Sequence, residues 1–306
     1  MADLRLRGVV IEDTFAEAFG MWAARAVVTA ETPAWARTAG LAATGYATSV
    51  IGCDAEAGIE AALPPEATPD GRPGVSLLFF GFSQEGLAKA LVNRLGQCVM
   101  TCATTACFDG LPAGEARVKV GGLLRFFGDG HQSSKKLGPR RYWRVPVMDG
   151  EFLCEERFAV TRAVAGGNFV VLGVDQAAAL AAAEAAVAAI GRVPGVILPF
   201  PGGVVRSGSK VGSRYKKLRA STNDAYCPTL SALTRTALPP GVNAVYELVI
   251  DGLDLPAVEA ATRAGVEAAC RDGVVRISAC NYGGKLGKYQ IHLHRALTGA
   301  AAAASA

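Results

Sequence analysis

Phe169-Val170-Val171-Leu172-Gly173-Val174-Asp175-Gln176 opens on four apolar residues, two of them β-branched, and closes on an aspartate followed by an alanine-rich run. A short apolar run bounded by turn residues reads as a buried strand. Asp175 is placed to cap a helix over 176–190, because its side-chain oxygen can accept an N–H that the first helical turn leaves unpaired. Val196-Ile197-Leu198 then reads as the returning strand. The pattern repeats with a strand over 244–250, a helix over 255–270 and a strand over 274–278. Two β-α-β units inside 168–283, joined by a long connection, predict the split β-α-β arrangement of ferredoxin-like folds.

Working outward, the first half shows a comparable rhythm. Gly8-Val9-Val10-Ile11 predicts a strand. Asp13 or Thr14 predicts a capped helix over 15–28, with Glu17 as the capping-box partner. Strands are expected at 48–51 and 75–80, with Pro64-Pro65 and Pro69-Asp70-Gly71 as turns between them. Ser83 predicts a helix to about residue 97, and 118–127 with 142–147 a strand pair around the polar loop 128–141. A last strand is expected over 289–294. The fold class is therefore α/β (α+β), in two lobes built of ferredoxin-like split β-α-β units. Residues 1–150 form the first lobe, 151–298 the second, and 299–306 a disordered alanine-rich tail.

Composition excludes several classes. Of 306 residues, 51% are apolar and 19% charged, which is incompatible with a disordered chain. The 36 glycines carry no triplet period, which excludes collagen. No apolar run approaches the roughly 20 residues that a bilayer requires, and Met1-Ala2-Asp3-Leu4-Arg5 leads into Glu12-Asp13 without a secretory core. Eight cysteines are too dilute for a disulfide scaffold. These readings place the protein in the cytoplasm. A formal charge of +4 is too small and dispersed for a nucleic-acid binder.

Metal and nucleotide motifs fail on spacing. Cys98, Cys102 and Cys107 match neither zinc nor cluster patterns and read as core thiols. His292 and His294 share a strand face in this reading, but His131 is the only other histidine, so no metal site is expected. Gly203-Val204-Val205-Arg206-Ser207-Gly208-Ser209-Lys210 orders serine before lysine, the reverse of a phosphate-binding loop. Gly202, Gly203, Gly208 and Gly212 can still expose backbone N–H groups to an anion. Lys210, Arg214, Lys216, Lys217 and Arg219 concentrate positive charge beside them. A solvated basic loop is the plain alternative.

Glu247 is the most informative carboxylate. It lies in Ala244-Val245-Tyr246-Glu247-Leu248-Val249-Ile250, sharing one strand face with Val245 and Val249. Both faces are apolar, which predicts a strand buried on both sides. A carboxyl there is costly unless paired, and burial shifts it toward general acid–base range. A buried glutamate paired with a lysine or arginine is the structural alternative.

Read together, the glycine- and asparagine-containing segments resemble the formylmethanofuran:tetrahydromethanopterin formyltransferase family. The resemblance runs from Ile11-Glu12-Asp13-Thr14-Phe15 through Leu95-Gly96-Gln97-Cys98, Phe126-Phe127-Gly128-Asp129-Gly130 and Val164-Ala165-Gly166-Gly167-Asn168-Phe169. It continues through Pro199-Phe200-Pro201-Gly202-Gly203, Ser207-Gly208-Ser209-Lys210, Ser221-Thr222-Asn223-Asp224-Ala225 and Asn243-Ala244-Val245-Tyr246-Glu247 to Asn281-Tyr282-Gly283-Gly284-Lys285-Leu286-Gly287-Lys288. The basic 130–141 loop, the altered 81–86 segment and the alanine tail depart from the archaeal pattern and look like a mesophilic bacterial, methylotroph member.

The resemblance implies an N-formyltransferase that exchanges formyl between N5 of tetrahydromethanopterin and the amine of a methanofuran-type carrier. It implies no prosthetic group or metal, substrates held in clefts between subunits, a homo-oligomer (dimer of dimers), and hydrolase-complex subunits as partners in formaldehyde oxidation. It puts the catalytic glutamate on Glu247. Substrate contacts are expected from Gly166, Gly167, Asn168, Gly202, Gly203, Ser209, Lys210, Ser221, Asn223, Asn281, Tyr282 and Lys285, with the basic residues meeting the carriers' anionic tails. Main-chain N–H groups near Gly166-Gly167 or Gly202-Gly203, or the Asn168 amide, are candidate oxyanion donors. A formyltransferase for another pterin such as folate, or a non-catalytic scaffold feeding a formyl hydrolase, are the rival readings.

Overall fold

The computed structural model describes residues 4–208 and 210–299; Ser209 and all but the first residue of the alanine-rich tail lie outside the described residues. In chain order the elements are β1 Leu4–Leu6, β2 Val9–Ile11, β3 Phe15–Thr29, α1 Pro33–Thr44, β4 Glu56–Leu63, β5 Gly74–Gly81, α2 Gln84–Arg94, β6 Ala106–Asp109, β7 Ala116–Lys119, α3 Gly121–Leu124, β8 Ser133–Leu137, β9 Arg140–Val147 and β10 Gly150–Glu155. There follow β11 Arg157–Gly173, α4 Gln176–Ile190, β12 Val196–Ile197, β13 Lys210–Val211, β14 Ala220–Ser221, β15 Ala244–Gly252, α5 Leu255–Ala269, β16 Val274–Ser278, β17 Tyr289–His292 and α6 Leu293–Thr298.

The chain packs as two units, one of residues 21–163 and one of residues up to 20 together with those from 164 on. This differs from a single cut at residue 150, because the long strands β3 and β11 each begin in one unit and end in the other.

In the carboxy-terminal unit, antiparallel pairing gives the strand order β16-β11-β15-β12, the fourth, first, third and second strands of a split β-α-β pair. β16 also pairs in parallel with β2, which extends the sheet through β1. Asp175 and Asp254 cap α4 and α5, each accepting an N–H at 2.8 Å. Both helices cover one face of the sheet. Phe169, Val171, Leu248 and Ile250 point into that layer against Ala183, Ile190, Val258 and Val266. The alternate residues, Val170, Leu172, Val245 and Glu247, therefore face the other way, and Val170 and Leu172 join a second small core there.

The 21–163 unit uses the same plan, with strand order β6-β3-β5-β4 and helices α1 and α2 following the first and third strands. β10 then joins β6 in parallel, and β9 and β8 continue antiparallel from it. Its core gathers Trp22, Leu77, Phe79, Leu87, Leu91, Phe152 and Phe158. The α/β reading with ferredoxin-like units thus holds for both.

Several local expectations fail for identifiable reasons. The helix expected over 15–28 is the strand β3: its residues are buried on both faces, which erases the period-two signal and leaves alanine content to suggest a helix. Residues 48–51 form turns closed by Cys53 N–H on Ser49 O and by Val50 N–H on the Glu56 carboxylate. The 118–127 strand stops at Lys119, since Gly121 packs directly beneath the Glu155 carbonyl and the chain coils there. The 128–141 loop contains β8, which pairs with β9 as a hairpin. β17 ends at His292, so His294 sits on α6, where its Nε2 meets Ile11 O at 2.7 Å.

Candidate active site

Glu247 is 5% exposed in the middle of β15. On one side it stands opposite Val170 of β11, itself opposite Ser278 of β16. On the other side its main chain is bridged to Val205, with Glu247 N–H donating to Val205 O at 3.0 Å and Val205 N–H to Glu247 O at 2.7 Å. That bridge draws the 206–208 segment over the carboxyl. Gly208, at φ +69°, lies so close to the Asn223 main chain that a Cβ would fall 2.8 Å from its nitrogen, so the 206–208 and 222–224 segments close together. The result is a pocket of about 40 Å³ above Glu247, lined also by Ser207, Asn223, Tyr226 and Cys227. That space admits at least a water.

The polar neighbours are arranged around a thiol. Cys280 accepts an N–H from the Asn223 amide at 3.3 Å. Burial, reinforced by the nearby Glu247 charge, pushes the Cys280 thiol far above its ordinary value. The thiol is thus neutral and no nucleophile. Tyr226 shares a hydrogen bond with Ser278 Oγ at 3.3 Å, and burial raises its phenol. Tyr282 is likewise raised by burial, against a main-chain hydrogen bond from Val211, with the Glu247 and Cys280 charges adding to the rise. In the native protein, alkylation of Cys280 at pH 8 is expected to run at least about tenfold slower than that of an exposed cysteine. Mass-spectrometric labelling checks this, and rapid labelling would contradict a thiol shielded by its half-buried position.

The expected site residues fall into groups. Glu247, Asn223 and Tyr282 are brought together. Lys210 and Ser221 form the β13–β14 pair leading to them. Lys210 Nζ, however, bonds Asp224 at 2.7 Å, which holds the half-buried Asp224 carboxyl below its usual range, and Ser221 Oγ donates to Gly212 O at 2.8 Å. Three glycines and two asparagines turn out to shape the fold. Gly166 N–H donates to Asp251 at 2.8 Å, at a bulge in β11, and a Cβ on Gly167 would lie 2.6 Å from Val258 Cγ1 on the helix-covered face. The Gly203 Cβ position is occupied by Val187 and Leu198. The Gly166 and Gly203 N–H groups are engaged within the protein, by Asp251 and by Phe200 O at 2.8 Å. The Asn168 amide exchanges hydrogen bonds with the Cys280 main chain, accepting at 2.7 Å and donating at 3.1 Å. Asn281 bonds Thr14 and Phe15. Gly202 is exposed at φ +62°, with open space where a side chain would be, and Lys285 is exposed.

Sequence reading missed Cys280, Tyr226 and Glu17. Cys280 directly precedes the recognised 281–288 segment, which was a usable signal. Glu17 was hidden by the helix expected around it. It is 1% exposed and accepts four main-chain N–H groups, from Tyr282 at 2.6 Å, Gly284 at 2.5 Å, Leu286 at 2.9 Å and Gly287 at 2.6 Å. Burial alone would raise its carboxyl; the four donors outweigh that and hold it below the ordinary glutamate value. Among the described residues no group of three or more His, Cys, Asp or Glu side chains is placed to hold a metal. No described helix is long and apolar enough to cross a membrane.

Comparison with known proteins agrees along the whole chain. Residues 4–147 match the family profile described as formylmethanofuran-tetrahydromethanopterin formyltransferase, and residues 150–296 match the profile of its proximal lobe. The Methylococcus capsulatus formylmethanofuran–tetrahydromethanopterin formyltransferase is 58% identical over 292 residues, covering 94% of this chain and 98% of its own. The crystal structure of the Methylorubrum extorquens formyltransferase/hydrolase complex with methylofuran contains a chain 52% identical, with a TM-score of 0.93, covering 97% of this chain and 99% of that one. The Methanosarcina barkeri formyltransferase structure superposes with a TM-score of 0.92 at 50% identity, covering 96% of this chain and 100% of its own. With matches of this length and identity, and with the same two-lobed fold, the chain belongs to the formylmethanofuran–tetrahydromethanopterin formyltransferase family.

Proposed function

We propose that this chain transfers a formyl group between N5 of tetrahydromethanopterin and the amine of a methanofuran-type carrier, with Glu247 relaying the proton. The observation that supports this best is a buried carboxyl at the floor of a small pocket, in a chain matching this family end to end. In the direction toward the carrier, its amine nitrogen attacks the formyl carbon and a tetrahedral alkoxide forms. Glu247 takes the proton from that nitrogen. The carbon–N5 bond then breaks and Glu247 returns the proton to N5, so charge and atoms balance. Holding both nitrogens in line supplies the largest share of the rate, roughly 7–11 kcal/mol in well-oriented systems. Asn223 and Tyr282 flank the reacting groups, and the exposed Gly202 turn is the remaining main-chain candidate for the oxyanion.

The chain works as a homo-oligomer, a dimer of dimers, in the cytoplasm, beside hydrolase subunits of the kind found in the Methylorubrum extorquens complex. Formyl transfer by the purified chain, given formyl-tetrahydromethanopterin and the furan carrier, tests the reading. Binding of both without transfer would favour a scaffold that feeds a hydrolase. Equal turnover of formyl-tetrahydrofolate would favour a different pterin.

The carriers' anionic tails meet the exposed hairpin cations Arg214, Lys216, Lys217 and Arg219 rather than Lys210, which Asp224 already engages. Exposed charge pairs contribute about 0.2–1 kcal/mol each. Replacing Lys216 and Lys217 by glutamine is therefore expected to raise KM about two- to thirtyfold at low salt, and to leave it unchanged at 1 M salt, where the Debye length is about 3 Å. Steady-state kinetics across ionic strength checks this; a KM that ignores both salt and substitution removes the hairpin from the site.

A further inference from the structure

We infer that Glu17 is a positioning residue for formyl transfer, folding the 282–287 segment so that Tyr282 is held beside the Glu247 pocket. The inference rests on the proposed function and adds a residue to it. Glu17 sits on β3, opposite Gln290 of β17, so its side chain lies where the chain enters that strand from the 281–288 segment. Each of its oxygens accepts two main-chain donors, Oε1 from Tyr282 and Gly284, Oε2 from Leu286 and Gly287. Four donors converging on one carboxylate require the segment to curl around it. Gly283 and Gly284 supply consecutive left-handed residues, at φ +72° and +74°. A Cβ on Gly287 would lie 2.8 Å from Glu17 Cβ, so the segment can close only with glycine there. Asn281 ties the start of the curl to Thr14 and Phe15, and its own oxygen takes Gly283 N–H at 3.0 Å.

The segment begins immediately after Cys280, whose thiol lies in the field of Glu247, and its first anchored residue is Tyr282. The Tyr282 phenol takes a main-chain hydrogen bond from Val211 and feels Glu247 directly. A carboxylate is the only side chain that can accept all four donors without offering a hydrogen of its own. Glutamine keeps the volume but turns one oxygen into an N–H₂ that faces two N–H groups. Buried donors left without acceptors are costly, so the curl should open.

The test compares the full-length wild type, Glu17→Gln, Tyr282→Phe and the double variant, all with Glu247 intact. Each single variant is expected to lower kcat about tenfold, with KM for formyl-tetrahydromethanopterin changed less than twofold. The double variant should lose no more than either single one, because Glu17 acts only through the placement of the Tyr282 phenol. Amide hydrogen exchange should accelerate at residues 282, 284, 286 and 287 in Glu17→Gln and stay unchanged in β11 and β15. A merely structural role would lower stability throughout and leave the kinetic losses multiplicative. Wild-type kcat in either single variant, or a hundredfold loss in the double, overturns the inference. If Glu17→Gln does not fold, Tyr282→Phe decides: reduced kcat with intact exchange protection supports it and wild-type kcat refutes it. Absence of transfer by the wild type would remove both this inference and the reading it rests on. Full turnover by a Glu247→Gln variant, alongside coupled losses at Glu17 and Tyr282, would remove only the role of Glu247.

Discussion

Replacing Glu247 by glutamine is expected to lower kcat by about 10²–10⁴-fold, the usual range for a positioned general acid–base group. The substitution conserves volume in a pocket of about 40 Å³ and leaves the main-chain pair with Val205 in place. KM for both carriers and the melting temperature should therefore stay close to wild type. What the amide loses is the ability to accept a proton from the attacking amine and return it to N5. Pre-steady-state measurement of one formyl transfer isolates that step from carrier release. Full turnover with normal binding would exclude proton relay by this residue, and a large rise in KM without loss of kcat would assign it to binding alone.

Phe169→Ala should be the most damaging core substitution on the sheet that carries the site, costing about 3–5 kcal/mol. The ring is fully buried and fills the space under α5, where a Cβ on Gly265 would lie 2.9 Å from its Cε1 and 2.7 Å from Ile190 Cδ1. Truncation leaves a void between β11 and both helices that rigid strands cannot collapse into. The converse change, Gly265→Ala, overfills the same place and should cost about 1–3 kcal/mol. Combining Phe169→Leu with Gly265→Ala should recover part of the loss, because one change makes room for the other. Urea unfolding of the wild type, Phe169→Leu, Gly265→Ala and their combination checks this. Independent, additive losses would show that the two residues do not share a cavity. Activity should fall with stability, since Asn168 and Val170 on the same strand hold Cys280 and stand opposite Glu247.

The two β-α-β units of the second half were legible as elements, although β11 begins at Arg157, well before the strand read at 169–172. Asp175 and Asp254 cap helices from within three positions, and the strands between them are apolar runs with clear stops. β3 was not legible. Its fifteen residues are rich in alanine and buried on both faces, so neither propensity nor period identified a strand. The glycine segments were found correctly as unusual backbone. Gly166, Gly167 and Gly203 make room for the Phe19, Val258 and Val187 side chains, and Gly208 forms part of the pocket wall.

From the order of its residues alone this protein has an alternating α/β architecture, a family, and one carboxyl in an oily strand; each is local information, carried by neighbours within a few positions or by motifs read in sequence. Tertiary structure decided that Glu17 grips amides 265 to 270 positions away, and that Asn223, Cys280 and Tyr226 surround Glu247. Those outcomes depend on which strands pair and where long connections land. Such contacts form only when distant parts of the chain share one core, and no short stretch of sequence records them.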